Sequence, residues 1–378
     1  MMRPTGWRLR SRCEVRMALM VLVLAAGCAG LPTEGRQQTA PGHGPAKLVR
    51  KGVCSGSPVQ KVIPLHRPRA LAVDASCNLY IADTANSRVV KVDSRGAASV
   101  VAGGGSAAFR SGMSATQINL APPLSVAVDS AGNLFVGTED SRVLRVPPDG
   151  TIRAVAGNGS CATVGPPSGL SAQAGICVPN GVVVDREGNL YIADGGNRYV
   201  TKVSPRGIIS TVGGIGERES SGDGGLSTLA RIGDPQGITV DQAGALYLSD
   251  GYSMTIRRIS GGVITRSAGG GVDNAPSAGR ALTAQLYPQG LALDPSGNLF
   301  VADDLHHQIR KVTPDGGIEK VAGVGTAGFT GDEGPAAAAK LSLPKGVGLD
   351  PEGNLYIADT GNDHVRRISR DGIISTVL

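Results

Sequence analysis

The sequence predicts an all-β fold, a six-bladed β-propeller built from four-stranded antiparallel blades. Two observations lead to this prediction. A unit of short apolar runs and tight polar turns occurs six times, and an aspartate precedes the first turn of every copy, namely Asp74, Asp129, Asp185, Asp241, Asp294 and Asp350. These aspartates are 53 to 56 residues apart, with no helical periodicity between them. One such unit cannot bury both of its faces, so the copies are expected to pack side by side.

The last copy shows how each unit is built. Its apolar runs predict strands over residues 346–349, 354–358, 364–368 and 373–377. In the first turn, Pro351 presets φ for a type I turn, the Asp350 side chain can accept hydrogen bonds from amides just ahead, and Gly353 supplies a left-handed residue. Each unit is therefore predicted to be an antiparallel meander.

The closure of the ring stays open at this stage. Residues 59–64 resemble the end of a fourth strand and could complete blade six from the N-terminal side. Blade six, however, already has a predicted fourth strand of its own.

Composition fits one large propeller domain. The 378 residues include 56 glycines, as many tight turns require, and only 3% aromatic residues, so the blades must pack through aliphatic side chains. The net charge of +6 is concentrated at the start of the chain, where residues 1–27 carry five arginines and one glutamate. Without them 32 basic and 30 acidic residues remain. A nearly neutral propeller gives no reason to expect nucleic-acid binding.

The first 57 residues predict export and anchoring. Residues 1–27 have the features of a signal peptide, because arginines precede an apolar run of about ten residues, too short to span a bilayer. The ending LAAGC at 24–28 resembles a bacterial lipobox, although alanine stands at its usual bulky position. The resemblance implies a lipid on Cys28, a flexible tether over 28–57, a propeller over 58–378, and a location at the outer membrane or surface of a bacterial cell. Simple secretion and a short membrane anchor are the alternatives.

Four cysteines follow Cys28: Cys54, Cys77, Cys161 and Cys177. Cys77 takes a turn position that glycine fills in four other copies, where a side chain is sterically unfavourable, and a disulfide to Cys54 would explain the exception. Cys161 and Cys177 lie in one connection between blades, and closing about 16 residues contributes roughly 3 kcal/mol in the chain-entropy model. We predict these two disulfides in an oxidising compartment, with four free thiols as the alternative.

Antiparallel order places two kinds of loop at the same end of the propeller. The connections between second and third strands share that end with the long connections between blades, which is where binding residues are expected. A carboxylate recurs there: Asp83, Asp194, Asp250, Asp303 and Asp359, with Thr138 in copy two. These aspartates either form an acidic ring for a cation or basic ligand, or each caps its own turn. Their recurrence in nearly every copy favours capping.

Blade five departs from the repeat, with Asp303, Asp304, His306 and His307 in one short loop. Imidazole and carboxylate groups suit zinc, so this loop is the candidate ligand or metal site, and solvent-exposed histidines are the simpler interpretation. Two glycine-rich loops, 221–225 and 330–334, could bind calcium but lack a full set of oxygen ligands. No cofactor is expected beyond calcium or zinc, and no catalytic constellation is recognisable.

The repeat Pro-x-Gly-[Val/Ile/Leu]-x-[Val/Leu]-Asp-x-x-Gly-Asn-Leu-Tyr-[Ile/Val]-Ala-Asp resembles NHL repeats, and the loop at 325–335 resembles those of bacterial and teneurin-type NHL propellers. The resemblance covers residues 65–378. That family includes scaffolds, sensor domains, RNA binders and a few enzymes, so the resemblance implies fold more than function. We expect an exported, lipid-anchored binding scaffold, monomeric, whose partner is a protein or a small envelope ligand. The alternative is a metal-dependent lyase or lactonase-type hydrolase with His306 or His307 as ligand or base.

Overall fold

In the computed structural model of the chain, the residues described are 53–54, 62–161, 165–272 and 278–378. They form six antiparallel sheets that follow one another along the sequence, which confirms the predicted all-β, six-bladed propeller. The signal peptide, Cys28 and most of the tether fall outside these ranges, so their assignments stay predictions.

Every blade has four main strands, ordered from the central channel outward. Blade one has β1 (Pro68–Val73), β2 (Leu79–Asp83), β3 (Arg88–Val92) and β4 (Ala98–Gly103). Blade two has β5 (Met113–Ser114), β6 (Pro123–Val128), β7 (Leu134–Thr138), β8 (Arg142–Val146) and β9 (Thr151–Ala156). Blade three has β10 (Gly169–Leu170), β11 (Pro179–Val184), β12 (Leu190–Asp194), β13 (Tyr199–Val203) and β14 (Ile208–Gly213).

The second half repeats this arrangement. Blade four has β15 (Pro235–Val240), β16 (Leu246–Asp250), β17 (Thr255–Ser260) and β18 (Val263–Gly269). Blade five has β19 (Ala278–Arg280), β20 (Pro288–Leu293), β21 (Leu299–Asp303), β22 (Gln308–Val312) and β23 (Gly317–Ala322). Blade six has β24 (Gly334–Pro335), β25 (Gly346–Leu349), β26 (Leu355–Asp359), β27 (His364–Ile368) and β28 (Ile373–Thr376). The described connections contain short 3₁₀ turns at Thr84–Asn86, Ser171–Gln173, Ser227–Leu229, Ala281–Thr283, Ala336–Ala338 and Thr360–Asn362.

The prediction of four strands per blade was incomplete. Blades two, three, five and six each carry a fifth, very short strand at the outer edge, formed by β5, β10, β19 and β24. These strands belong to the interblade loops, by which we mean the connections from the fourth strand of one blade to the first strand of the next. Each loop crosses to the outer strand of the next blade and pairs with it, which satisfies backbone groups that an edge strand would otherwise leave free.

The first turn of each blade works as the sequence predicts. In blade six the Asp350 carboxylate accepts the backbone N–H of Asn354 at 2.8 Å, its side-chain amide at 2.7 Å and the hydroxyl of Tyr356 at 3.0 Å. Gly353 adopts a φ of 84°, in the left-handed region. The repeated residues of this turn thus form one closed hydrogen-bonded unit.

The blades pack against one another through aliphatic clusters. Between blades four and five, for example, Ile256, Leu291 and Val312 belong to one buried cluster. The innermost strands approach so closely that a Cβ on Gly237 would lie 2.3 Å from the carbonyl oxygen of Gln289. Glycine at this position therefore allows the six inner strands to enclose a narrow channel.

Both predicted disulfides, Cys54–Cys77 and Cys161–Cys177, are present, with Cα–Cα distances of 5.9 Å and 4.3 Å. Cys77 has a φ of 60°, as its glycine-like turn position predicts. Disulfides are typical of proteins that fold in an oxidising compartment, outside the cytosol. Within the described ranges, no helix is long and apolar enough to cross a membrane.

The ring closes at a seam between blades six and one. Blade six contains its own β28, and residues 62–65 belong to no sheet, while residues 59–61 lie outside the described part. Across the seam the hydroxyl of Thr360 donates to the carbonyl oxygen of Pro68 at 2.6 Å. Val53 and Cys54 are buried in the same cluster as Leu71 of blade one. Packing, hydrogen bonds and a disulfide therefore join the two ends of the ring.

Candidate functional site

Two kinds of connection meet at one end of the propeller, as the strand order predicts. We call this end the loop face, and the end with the Asp-Asn turns the turn face. The recurring aspartates join the two kinds of connection. In blade six the Asp359 carboxylate accepts the backbone N–H of Ser342 from the interblade loop at 2.7 Å and the side-chain amide of Asn362 at 2.8 Å.

The same contact recurs around the ring. The carboxylates of these aspartates are fully buried, and each accepts a backbone N–H from the segment that precedes the first strand of its blade, the pairs being His66–Asp83, Cys177–Asp194, Asp234–Asp250, Tyr287–Asp303 and Ser342–Asp359. Burial raises the pKa of Asp194 and of Asp359 to about 6. These carboxylates therefore tie the loops together rather than line the channel, which agrees with the capping role favoured from the sequence.

The four side chains of the blade-five loop have separate partners. His306 Nδ1 lies 2.9 Å from the Asp303 carboxylate, in the place that asparagine holds in blades one, three and six. Asp304 forms an ion pair of 3.0 Å with Lys345. The backbone N–H of Leu343 donates to His307 Nδ1 at 3.1 Å. Of these four residues, no three place ligand-type atoms within coordination distance of one another.

One group of three ligand-type side chains lies within coordination distance in the described part of the chain. It consists of Cys54, Cys77 and Glu352. Its two sulfur atoms form a disulfide and are therefore not thiolate ligands.

In each of the two glycine-rich loops considered for calcium, the aspartate pairs with a buried arginine. Asp332 accepts a hydrogen bond of 2.7 Å from Nη2 of the fully buried Arg366. Asp223 accepts one of 2.8 Å from Nη2 of Arg257, whose side chain is also buried. The aspartate of each loop is therefore paired with a guanidinium from the third strand of the adjoining blade.

The channel opens on the loop face through a ring of side chains that sequence reasoning missed. These residues follow the proline that begins each innermost strand: Arg69, Leu124, Asn180, Gln236, Gln289 and Lys345. A comparison of position x of the repeated Pro-x-Gly across the six copies could have found them. Larger polar residues occur at no other position of this motif. We call this ring the channel mouth.

Arg69 extends across the channel mouth. Its Nη2 donates to Asn180 Oδ1 at 2.9 Å and to Gln236 Oε1 at 3.3 Å, so that a residue of blade one contacts blades three and four. The side-chain amide of Gln236 in turn donates to Asp234 at 2.8 Å. This arrangement holds the guanidinium in one place over the opening.

Charges of both signs surround the channel mouth. Burial lowers the pKa of Arg69, while the nearby carboxylates of Asp234, Glu139 and Asp304 oppose that shift. Burial also raises the pKa of Asp234. Below the mouth the channel is lined by aliphatic residues such as Leu71, and its volume is about 270 Å³. It therefore presents mixed polar groups at the entrance and an apolar wall beneath them.

The comparisons with known proteins agree with this geometry. A family model of the teneurin NHL domain matches residues 325–378, which include all strands of blade six. Teneurin-m of Drosophila melanogaster is 27% identical over 281 residues, covering 67% of this chain and 10% of that protein. These matches support a β-propeller of the NHL-repeat type. Human Teneurin-1 is 30% identical to this chain over 230 residues, 54% of the chain, and the match spans only 8% of Teneurin-1.

Solved structures give the same architecture. A streptogramin B lyase structure superposes on this propeller with a TM-score of 0.52, over 84% of this chain and 85% of that one, at 14% sequence identity. At this level of identity the likeness concerns the fold alone.

The rim of the propeller also carries apolar side chains on the loop face. Two residues after the recurring aspartate, blades four and five have Tyr252 and Leu305, where blades three and six have glycine. Tyr252 is 50% exposed, Leu305 is 54% exposed, and Met254 beside Tyr252 is 39% exposed. Three partly exposed apolar side chains therefore lie on the loop face of blades four and five.

Proposed function

We propose that this protein is an exported interaction module whose loop face binds a partner at the cell envelope. The main support is the difference between its two faces. The loop face combines a polar channel mouth with the exposed apolar residues Tyr252, Met254 and Leu305. Interfaces place apolar and aromatic anchors next to polar groups in this way. The turn face, by contrast, repeats closed Asp-Asn turns.

The position of Cys54 supports anchoring through the turn face. Cys54 is bonded to Cys77, which lies in the first turn of blade one. Cys28, the proposed lipid site of a bacterial lipoprotein, precedes Cys54 by 26 residues. A lipid there would attach the propeller to the membrane from its turn face, and the loop face would point away from the membrane toward partners.

The lyase or hydrolase alternative requires a histidine that is available to a metal or substrate. His306 is hydrogen-bonded to Asp303 and stacked edge-on against Tyr287, with ring centroids 5.1 Å apart. His307 accepts a backbone N–H through Nδ1. These contacts give both histidines a role in holding the loop, so the interaction module is the function we favour.

A photo-crosslinking amino acid tests the proposal in intact cells. We expect that placing it at Leu305, on the loop face, captures a partner. The matched position is Glu187, an exposed residue on the turn face, which should capture none. The captured partner, once purified, should bind the wild-type protein and lose about tenfold or more in affinity toward Leu305→Asp, which puts a charge into an apolar contact. Equal capture from both faces, or unchanged affinity of Leu305→Asp, would refute the assignment of the loop face.

A further inference from the structure

The channel mouth contains donors and acceptors that the protein itself leaves unused. Within the described residues, Arg69 uses only Nη2 for hydrogen bonds, although a guanidinium has five N–H donors. The side chain of Gln289, on the same ring, forms no hydrogen bond in the described part of the chain. Its amide can donate and accept at once. Both side chains are partly exposed, so a bound molecule can reach them.

The charges at this opening select against an ionic ligand. Lys345 is paired with Asp304 at 3.0 Å, and Arg69 lies near three carboxylates. An anion would approach these carboxylates, and a cation would approach Arg69 and Lys345. Positive and negative charges at the channel mouth therefore balance one another. Hydroxyl groups, which donate and accept without net charge, can bond to both kinds of group.

The volume of the channel and its apolar wall further restrict the size and the chemical class of the ligand. The channel volume of about 270 Å³ lies just below the range of drug-sized pockets, which begins at roughly 300 Å³. Below the polar ring the wall is aliphatic, as at Leu71. A molecule with both hydroxyl groups and an apolar face therefore suits this site.

From these observations we infer that the channel mouth is a binding site for a neutral, hydroxyl-rich small molecule of monosaccharide size. Arg69 and Gln289 donate to its hydroxyl oxygens, and the acceptor oxygen of Gln289 receives a hydroxyl hydrogen. The inference rests on the proposed binding role of the loop face, and it specifies a ligand class for the channel mouth.

Calorimetric titration of the purified full-length protein provides the test. The probes are glucose, galactose, mannose and N-acetylglucosamine, each alone, with glucuronate and glucosamine as charged counterparts. We expect at least one neutral sugar to bind, and its charged counterpart to bind about tenfold more weakly or not at all. Arg69→Met and Gln289→Leu should each weaken the neutral sugar by about tenfold, because each removes a hydrogen bond.

Gln289→Leu removes no hydrogen bond within the described protein, and an unfolding temperature equal to that of the wild type would show that its loss of sugar binding is not due to misfolding. Gln242→Leu, at an exposed position on the turn face, is the matched control and should bind as the wild type does. Three outcomes overturn the inference: no neutral sugar binds, charged sugars bind equally well, or Gln289→Leu leaves affinity unchanged. If capture of a partner from Leu305 persists in any of these cases, the proposed interaction function stands without the sugar site.

Discussion

The backbone N–H of Cys54 donates a hydrogen bond of 2.9 Å to the hydroxyl of Tyr356, 302 positions further along the chain. The carbonyl oxygen of Cys54 accepts a second bond from Arg367 at 2.7 Å, and its side chain is bonded to Cys77. One residue of the N-terminal segment therefore contacts blade six through its backbone and blade one through its disulfide. This contact lies at the seam where the ring closes.

Removing the seam disulfide should destabilise the protein and loosen the two blades beside it. For a sequence separation of 23 residues, the chain-entropy model gives a loss of about 3 kcal/mol in the double variant Cys54→Ser/Cys77→Ser. Without the disulfide, residue 54 is held between the two blades only by packing and by its backbone hydrogen bonds to Tyr356 and Arg367. We expect faster amide hydrogen exchange in blades one and six than in blades three and four, measured by mass spectrometry.

The matched control is Cys161→Ser/Cys177→Ser, whose disulfide spans a similar 16 residues but lies within one interblade loop. Its loss of stability should be comparable, about 3 kcal/mol. Faster exchange should then be confined to that loop and blade three. If both double variants show the same exchange pattern, the disulfide at Cys54 has no special role in closing the ring.

The parts of the fold that the sequence predicts are local in the chain. The Asp350 turn and the Cys161–Cys177 disulfide join residues that are close in sequence, and the capping role of Asp359 involves Asn362 three residues later. The spacing of the repeats and the residue types in their turns and loops were sufficient to predict these three features. Strand order predicts only that the loops of Asp359 and Ser342 lie on one face, and their hydrogen bond is a finding of the structure.

The channel mouth could not be predicted in the same way. Arg69 meets Gln236, 167 residues away, only because six blades close into a ring of one particular diameter.

The buried arginines could not be predicted from the sequence for a different reason. Arg366 occupies a position in its strand where blade one has Val90, and a charged residue in a short strand is usually assigned to a solvent-exposed face. Its partner Asp332 belongs to a loop whose path the sequence does not specify.

Breaking the buried pair in blade six should cost far more than breaking a surface pair. Arg366→Met leaves Asp332 partly buried without its guanidinium, and removal of one partner from such a pair typically costs about 3–5 kcal/mol. Arg231→Met is the control, because Arg231 pairs with the exposed Glu219 at 2.8 Å and such pairs contribute about 0–1 kcal/mol. Urea unfolding of both variants measures the difference.

A calcium titration of the same proteins adds an independent readout. The wild type should show no rise in unfolding temperature with calcium, because the guanidinium of Arg366 already neutralises Asp332. Stabilisation by calcium, or equal losses in Arg366→Met and Arg231→Met, would contradict this account of the glycine-rich loops.

Stability should depend on pH through the buried carboxylate of Asp194. Burial raises its pKa to about 6 in the folded protein, although hydrogen bonds from Asn197 and from the backbone N–H of Cys177 favour ionisation. An unfolded aspartate has a pKa of about 3.9. Between these values the folded state keeps a proton that the unfolded state releases, so the free energy of unfolding falls as pH rises from about 4 to about 6. The stabilising effect of this group is complete below pH ~4 and absent above pH ~6.

The comparison that isolates this effect uses Asp194→Asn, which cannot titrate. Relative to this variant, the wild type should gain on the order of 2 kcal/mol in free energy of unfolding as pH falls from 7 to 4, measured by urea unfolding. Asp149→Asn is the control, since Asp149 is fully exposed and hydrogen bonds from Thr151 lower its pKa, so any effect has the opposite sign. Parallel pH profiles for wild type and Asp194→Asn, or a carboxyl carbon of Asp194 that titrates near 4 by NMR, would show that the interblade contacts offset the cost of burying this charge.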